Sequence, residues 1–497
     1  MVGFWDSIRT VVHPHSASTC RPPRGESIRR RFLIRGLILP YLLTALQVCA
    51  AAEPSAALRG IVDRYPHLRL DDPREFPMKL RSVLSDPYTF FRGTTDVFYD
   101  YCRKNCADWL ADRTYRVRLH GDIHIGNVGV YQSLGEPGKD IRFGVVDLDE
   151  TVEGPFQLDL LRALTSVRFA AASLNTPLDD EAARNVARAL TTGYAECLSG
   201  HVSYDDVVSR SAPVVTLRRK ASKNSKHEFV ADYATRDPIW RFRRARIKSG
   251  KVKDLLEPVD ADTRASIVEG VWGYIKRGPT TGPADSFRFV TSAELNEGVT
   301  DVVRWTRIGS SGSQGVHKLL VLLDRPLRGN DDAMILELKE QPVPAAARVG
   351  AMVASRGPER AAEVAQAYQR LLSAPPRLVG YAHIGDRGFL VVPKDPWNEE
   401  LELKDFLSFS PGERFIEMAR LLGEAIGLAH REWLLPSGSG ASVESVLKAL
   451  EGLDAPLIAR STAIEQLLRT EFDSLKNDPA CAPHIEAAEA LIQSARQ

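Results

Sequence analysis

Residues Arg116 to Glu150 read RVRLHGDIHIGNVGVYQSLGEPGKDIRFGVVDLDE, which parses as strand, loop, strand, turn, strand. Val117 to Leu119 leads into a polar loop, His120 to Asn127, and Val128 to Gln132 is a short β-branched and aromatic run. Gly135, Pro137 and Gly138 make the turn, and Ile141 to Val146 runs apolar into Asp147. This pattern places Asp122, Asn127 and Asp147 at the ends of adjacent strands of one hairpin. The chemistry that wants such a set is phosphoryl transfer, which is mostly positioning and charge neutralisation. One carboxylate must accept the proton of the attacking group, and Asp122 suits that role. A carboxylate and an amide must hold Mg2+ through hard oxygens, which suits Asp147 and Asn127, with Asp149 a further ligand. The gap from Asp122 to Asn127 is five (127 − 122), as in phosphoryl-transfer catalytic loops.

His120-Gly121-Asp122-Ile123-His124-Ile125-Gly126-Asn127 resembles the catalytic loop of the aminoglycoside and choline phosphotransferases, within the protein-kinase-like superfamily. Asp147-Leu148-Asp149 occupies the place of the metal-binding Asp-Phe-Gly, with Leu and Asp where Phe and Gly would be. The resemblance implies a catalytic loop carrying His120, Asp122 and His124, with ATP and Mg2+ as cofactors. His120 and His124, at i and i+4, also invite a zinc reading. Without a helix or a Cys or carboxylate set at metal spacing, that reading has little behind it.

A second cluster starts at Thr300. Asp301 to Thr306 reads as a strand, Arg307 to Val316 as a glycine-rich turn, Lys318 to Leu323 as the returning strand, and Ala333 to Glu340 as a third. Backbone N–H groups at Gly309, Ser310 and Gly312 can approach phosphates, and Lys339 can reach them as a point charge. Kinase-like families carry a further glycine where this chain has Arg307, which puts tight nucleotide closure in doubt. A helix over Pro358 to Leu372 follows, with Glu359 and Glu363 on its polar side. Glu363 is the candidate partner of Lys339.

The glycine-rich loop and Lys339 follow the catalytic loop instead of preceding it. That order fits a circularly permuted, two-lobed protein-kinase-like fold of the α+β class, with a small antiparallel β lobe and a larger, mainly helical lobe. The expected segments are a leader over 1–52, the first part of the large lobe over 53–200, a helical and loop insert over 201–292, the small lobe over 293–400, and a second helical part over 401–497. Ser85 to Gly93, the His120 loop, Asp147 to Glu150, Gly154-Pro155-Phe156 and Asp159 to Arg162 together resemble the bacterial family called domain of unknown function 2252. The resemblance continues to about Arg431 and implies that Arg92 lies next to the site. Arg92 would clamp a phosphate or pair with a carboxylate, and the residues favour neither. Asp159, in the first turn of an amphipathic helix running to about Leu174, serves the helix dipole or supports the catalytic loop. The resemblance favours support.

The 497 residues are 44% hydrophobic, and 65 Lys and Arg balance 64 Asp and Glu. A net charge of +1 gives no reason to expect nucleic acid as a partner. Arg29, Arg30, Arg31 and Arg35 precede an apolar run from Gly36 to Leu46, and Ala50 to Ala52 follow. Basic, apolar and small segments in that order predict a signal peptide cleaved after Ala52, an exported, periplasmic protein, and no membrane span once the leader is removed. Arg29 to Leu33 resembles the twin-arginine export signal. The alternative is a cytoplasmic protein with a basic tail, which an ATP site favours because the periplasm is not expected to hold a stable ATP pool. Cys102, Cys106, Cys197 and Cys481 remain after the leader, compatible with disulfides or with four buried thiols. The expected activity is Mg-ATP-dependent phosphoryl transfer to a hydroxyl or amine of a small molecule or protein. The rivals are a nucleotide-binding pseudokinase used for regulation and nucleotidyl transfer from the same cleft.

Overall fold

The computed structural model describes residues 74–494 apart from 250, 309–311, 313, 330–331 and 436–440. The leader, its cleavage site, Gly309 and Ser310 lie outside the described residues. The fold is α+β, and every sheet is antiparallel.

Around the opening stretch, β1 (Arg116–Leu119), β2 (Val128–Gln132), β3 (Ile141–Val145) and β4 (Val152–Pro155) follow the expected order. β2 and β3 pair as a hairpin, and β1 pairs with β4. After the small pair β5 (Ala234–Arg236) and β6 (Trp240–Phe242) come β7 (Ala245–Lys248), β8 (Lys251–Pro258), β9 (Val299–Arg307), β10 (Lys318–Leu323), β11 (Met334–Glu340), β12 (Gly380–Ile384) and β13 (Arg387–Pro393). These last seven form one sheet in the order β12-β13-β11-β10-β9-β8-β7, and the short β14 (Glu399–Glu400) joins the β2–β3 hairpin.

The sheet's central strand explains its own sequence. Leu319 to Leu323 is continuously apolar because both faces of β10 are covered, and a strand buried on both sides loses the period-two alternation. Leu319, Val321 and Leu323 pack with the helix Ala261–Arg277. Leu320 and Leu322 pack with Tyr233, Trp240 and Phe242 on the other face.

Two expectations are corrected here. Residues 201–292 were expected to be helices and loops, yet they supply β7 and β8 to the sheet, which therefore begins at Ala245 instead of 293. The reason is visible in Lys251 to Pro258, where Val252 and Asp254 are buried and Lys251 and Lys253 exposed. Charges on strands near a sheet edge mask an alternating pattern. The helix after Pro155, expected to be amphipathic, runs Gln157–Ser173 and is buried around most of its circumference. An all-round buried helix belongs to the centre of a helical body.

That body is held by a close helix pair, Asp180–Ser199 against Pro411–Leu434. Gly423 lets the backbones touch, since a Cβ there would lie 2.1 Å from the Leu190 carbonyl oxygen. Cys102, Cys106, Cys197 and Cys481 are four buried free thiols. No helix among the described residues is long and apolar enough to cross a membrane.

Candidate active site

The loop His120 to Asn127 is tied down from both ends. Asp159, in the first turn of the helix Gln157–Ser173, accepts from the backbone N–H of His120 at 2.7 Å and of Gly121 at 3.0 Å. His430 Nε2 lies 3.2 Å from the same carboxylate, and its Nδ1 meets the Tyr194 hydroxyl at 3.1 Å. The Asn127 Nδ2 donates to the Asp122 carbonyl at 2.8 Å, so the gap of five is the span this return bond closes. Gly121 is required at its position. Its φ is +87°, and a Cβ there would stand 2.1 Å from the Glu150 carbonyl oxygen.

Asp122 is buried, and its carboxylate is gripped by Arg162, whose Nε and Nη2 both donate to Oδ1, at 3.0 and 2.6 Å. Burial pushes the Asp122 carboxyl up, against the pull of Arg162. The two histidines of the loop are bonded in different ways. His120 spends both ring nitrogens on backbone: Nδ1 accepts from the Asp122 N–H at 3.2 Å, and Nε2 then donates to the Val146 carbonyl at 2.8 Å. Burial, reinforced by Arg92, holds His124 well below its ordinary range, so it is neutral and accepts from Arg92 Nε at 3.2 Å. His124 Nε2 is 4.0 Å from Asp122 Oδ2. Arg92 therefore lies beside Asp122, bonded to a histidine, with no carboxylate at ion-pair distance among the described residues.

Asp147 ends the hairpin in the left-handed region, at φ 60° and ψ 61°. An aspartate tolerates that conformation at a cost of about 1–3 kcal/mol, a strain common at functional sites. Lys339 on β11 reaches it, with Nζ 2.8 Å from Asp147 Oδ1, and also pairs with Asp149. Burial opposes the charge on Asp147, but the Lys339 ammonium holds the carboxyl below its usual range. Asp149 moves the other way, raised by burial, and also accepts from Gln341 Nε2 at 3.0 Å. The expected Glu363–Lys339 pair does not form. Glu363 accepts from Arg118 at 2.6 Å and from Arg360 at 3.0 Å, because the two guanidiniums reach it first and the aspartates occupy the lysine. The helix Pro358–Leu371 instead holds the Asp147 segment through Arg360, which donates to the Asp149 carbonyl at 2.6 Å, and Tyr368, whose hydroxyl accepts from the Leu148 N–H at 3.3 Å.

Above the cleft, the glycine-rich segment is anchored by the helix Glu75–Val83. Glu75 accepts from Gln314 Nε2 at 2.6 Å and from the Gly315 N–H at 3.2 Å, and Lys79 Nζ donates to the Gly312 carbonyl at 3.4 Å. The cleft between Asp122, Asn127, Asp147, Asp149, Lys339 and Gly312 encloses about 60 Å³. That holds an ion with water but falls short of the roughly 300 Å³ at which small-molecule sites begin. A larger groove, about 960 Å³, lies on the sheet face opposite Lys339 and contains none of these residues.

The donor set suits a hard divalent cation. Asp147 lines the cleft, and among the described residues the Asn127 amide bonds only through its nitrogen, leaving the oxygen. Among the described residues no three His, Cys, Asp or Glu side chains converge as a metal site, so the fit rests on Asp147, Asp149 and an amide. Arg162, His430, Arg360, Tyr368, Gln341, Glu75 and Lys79 were not found from sequence. For Arg162 a signal existed: a charged residue inside the apolar run Leu158 to Ala171, three positions after Asp159.

Residues 69–477 match the family described as "Uncharacterized protein conserved in bacteria (DUF2252)", and the chain belongs to it. No curated protein and no solved structure matches.

Proposed function

We propose that this bacterial family member is a Mg-ATP-dependent phosphotransferase with a circularly permuted, two-lobed protein-kinase-like fold, acting on a hydroxyl or amine of a small molecule or protein. The observation that carries the reading is the contact of Lys339 with Asp147, 192 residues apart in sequence. A phosphate anchor and a metal-binding carboxylate meet where the chemistry needs them together. In this reading the sheet from β7 to β13 and the helix Pro358–Leu371 form the small lobe, and the helical body around Gln157–Ser173 forms the large one.

Asp122 takes the proton from the acceptor oxygen or nitrogen, the acceptor bonds to the γ-phosphorus, and ADP leaves with the electron pair of the broken P–O bond. Asp147 and Asn127, with Asp149, would hold Mg2+, which supplies neutralisation of phosphate charge. Lys339 exchanges its aspartate partners for phosphate oxygens. Nucleotide entry requires Gly312, Gln314 and Gly315 to part from Lys79 and Glu75, which bond to them. The test is Asp122→Asn in purified protein, with the mass of candidate acceptors followed after incubation with Mg-ATP. Loss of both ATP turnover and acceptor mass shift is expected, and equal activity in the two proteins removes Asp122 from the mechanism.

The closed cleft favours a second reading, a pseudokinase that binds nucleotide for regulation. Tight ATP binding without turnover supports it. For location, the basic, apolar and small segments that follow one another in the leader sequence favour export, and an N-terminal residue of Glu53 in protein from fractionated cells is the expected result. Met1 recovered from the cytosol overturns it.

A further inference from the structure

The helix Gln157–Ser173 carries one side chain that the phosphotransfer scheme does not use and that touches its central group. Arg162 is fully buried, and its guanidinium sits over aromatic rings, with Cζ 3.8 Å from the Phe91 ring centre and 5.0 Å from that of Phe98. Nη2 also donates to the Phe91 carbonyl at 3.0 Å and to Thr95 Oγ1 at 3.3 Å. These contacts fix the plane of the guanidinium before it meets Asp122.

The consequence falls on the carboxylate. Nε and Nη2 converge on Oδ1 alone, so that oxygen is consumed, and Oδ2, which Arg162 does not bond, is left as the acceptor atom of a residue that lines the cleft. A carboxylate with two free oxygens can rotate, whereas one pinned through a single oxygen presents the other in one place. Proton abstraction in flight depends on such placement, and a displacement of about 1 Å costs on the order of 10²-fold in rate. A lone surface arginine would offer no such control, because its rotamers are free. Arg162 has none to spare: the two rings, the Phe91 carbonyl and the Thr95 hydroxyl hold the side chain along its path.

We propose that Arg162 is the positioning residue of the site, orienting Asp122 so that Oδ2 alone faces the acceptor. This rests on the phosphotransferase reading for its kinetic consequences, but not for its geometric one. Arg162 touches neither nucleotide nor acceptor. It acts through Asp122, and the aromatic pair Phe91 and Phe98 acts through Arg162.

The experiment compares wild type with Arg162→Lys, Arg162→Met and Phe91→Leu as full-length purified proteins. Circular dichroism and a melting curve first establish which variants fold. If Arg162→Met does not fold, Arg162→Lys and Phe91→Leu carry the test. In Arg162→Met, kcat for Mg-ATP turnover is expected to fall about 100-fold with KM for ATP within about 3-fold of wild type, since ground-state binding does not involve this residue. Arg162→Lys keeps the charge and one donor and is expected to recover about a tenth of the wild-type kcat, and Phe91→Leu to lose about 3–10-fold, again in kcat alone. Crystal structures of the folded variants give the independent readout: the Asp122 carboxylate turns away from its wild-type rotamer when Arg162 is replaced. An unchanged Asp122 rotamer, or wild-type kcat in every folded variant, overturns the proposal. If wild type itself turns over no ATP, the phosphotransferase reading has failed, and the rotamer comparison still decides the role of Arg162.

Discussion

Lys79 lies fully buried, and burial pushes its ammonium down to about 7 against the attraction of Asp96. Its unfolded value is 10.5, so between pH 7 and 10.5 the unfolded chain holds a proton that the folded chain has released. Stability therefore rises with pH across that window, and below it the full penalty of a buried cation stands. Lys79→Met has no such group. The stability of wild type relative to Lys79→Met is expected to increase from pH 7 to pH 10.5 by on the order of 3–5 kcal/mol, measured by urea unfolding of both proteins. A difference that stays flat with pH would mean that the folded protein keeps Lys79 protonated. At this scale the sequence was legible where chemistry imposes spacing. Asp122, Asn127, Asp147 and Lys339 lie together in the structure because two short motifs specify them. Arg162 and Arg360 were not legible. A buried arginine inside an apolar helix reads as an exception to the pattern, and its partner is set by tertiary packing 40 residues away for Arg162 and 211 for Arg360.

The helix Pro411–Leu434 does two jobs with one crossing. Gly423 and Gly427 bring it against the helix Asp180–Ser199, and His430, farther along, reaches Asp159 and so the loop His120 to Asn127. Gly423→Ala places a methyl 2.1 Å from a backbone oxygen, which neither helix can relieve by turning a side chain. The variant is expected to lose about 1–3 kcal/mol of stability in chemical denaturation, the usual cost of overpacking. A variant as stable as wild type would mean that the two helices slide apart freely. Some element boundaries carry their capping residues in the sequence, such as Ser410 before Pro411 and Asp179 before Asp180, whose side chains accept from N–H groups of the first turn. The strands β7 and β8 were not, because Arg241 to Lys253 carries charge at nearly every second position and a charged strand looks like a solvated loop.

Across the whole molecule, Arg74 and Leu491 line the same groove, and Phe76 stacks edge-on with His484 at 4.9 Å. The two ends of the described chain are therefore neighbours. A rearranged protein that joins Ser494 to Arg74 through a short linker and opens between the exposed Ala284 and Asp285 places β9 to β13 ahead of the loop His120 to Asn127. It is expected to fold with a melting temperature within several degrees of the parent, and any turnover in the parent should survive. Failure to fold would show that the order of segments, and not only their contacts, is required. The reversed order of motifs was readable because each motif is local; which residues would cover the cleft was not, since Glu75 and Lys79 bond to a segment about 230 residues later. The 192 residues between Asp147 and Lys339 also set a timetable during synthesis. At about 5–20 residues per second, roughly 10–40 s separate the emergence of Asp147 from that of Lys339. Through that interval the nascent hairpin carries its aspartates without their counter-ion, and since Arg360, Tyr368 and His430 emerge later still, the site is complete only after the helix Pro411–Leu434 has left the ribosome.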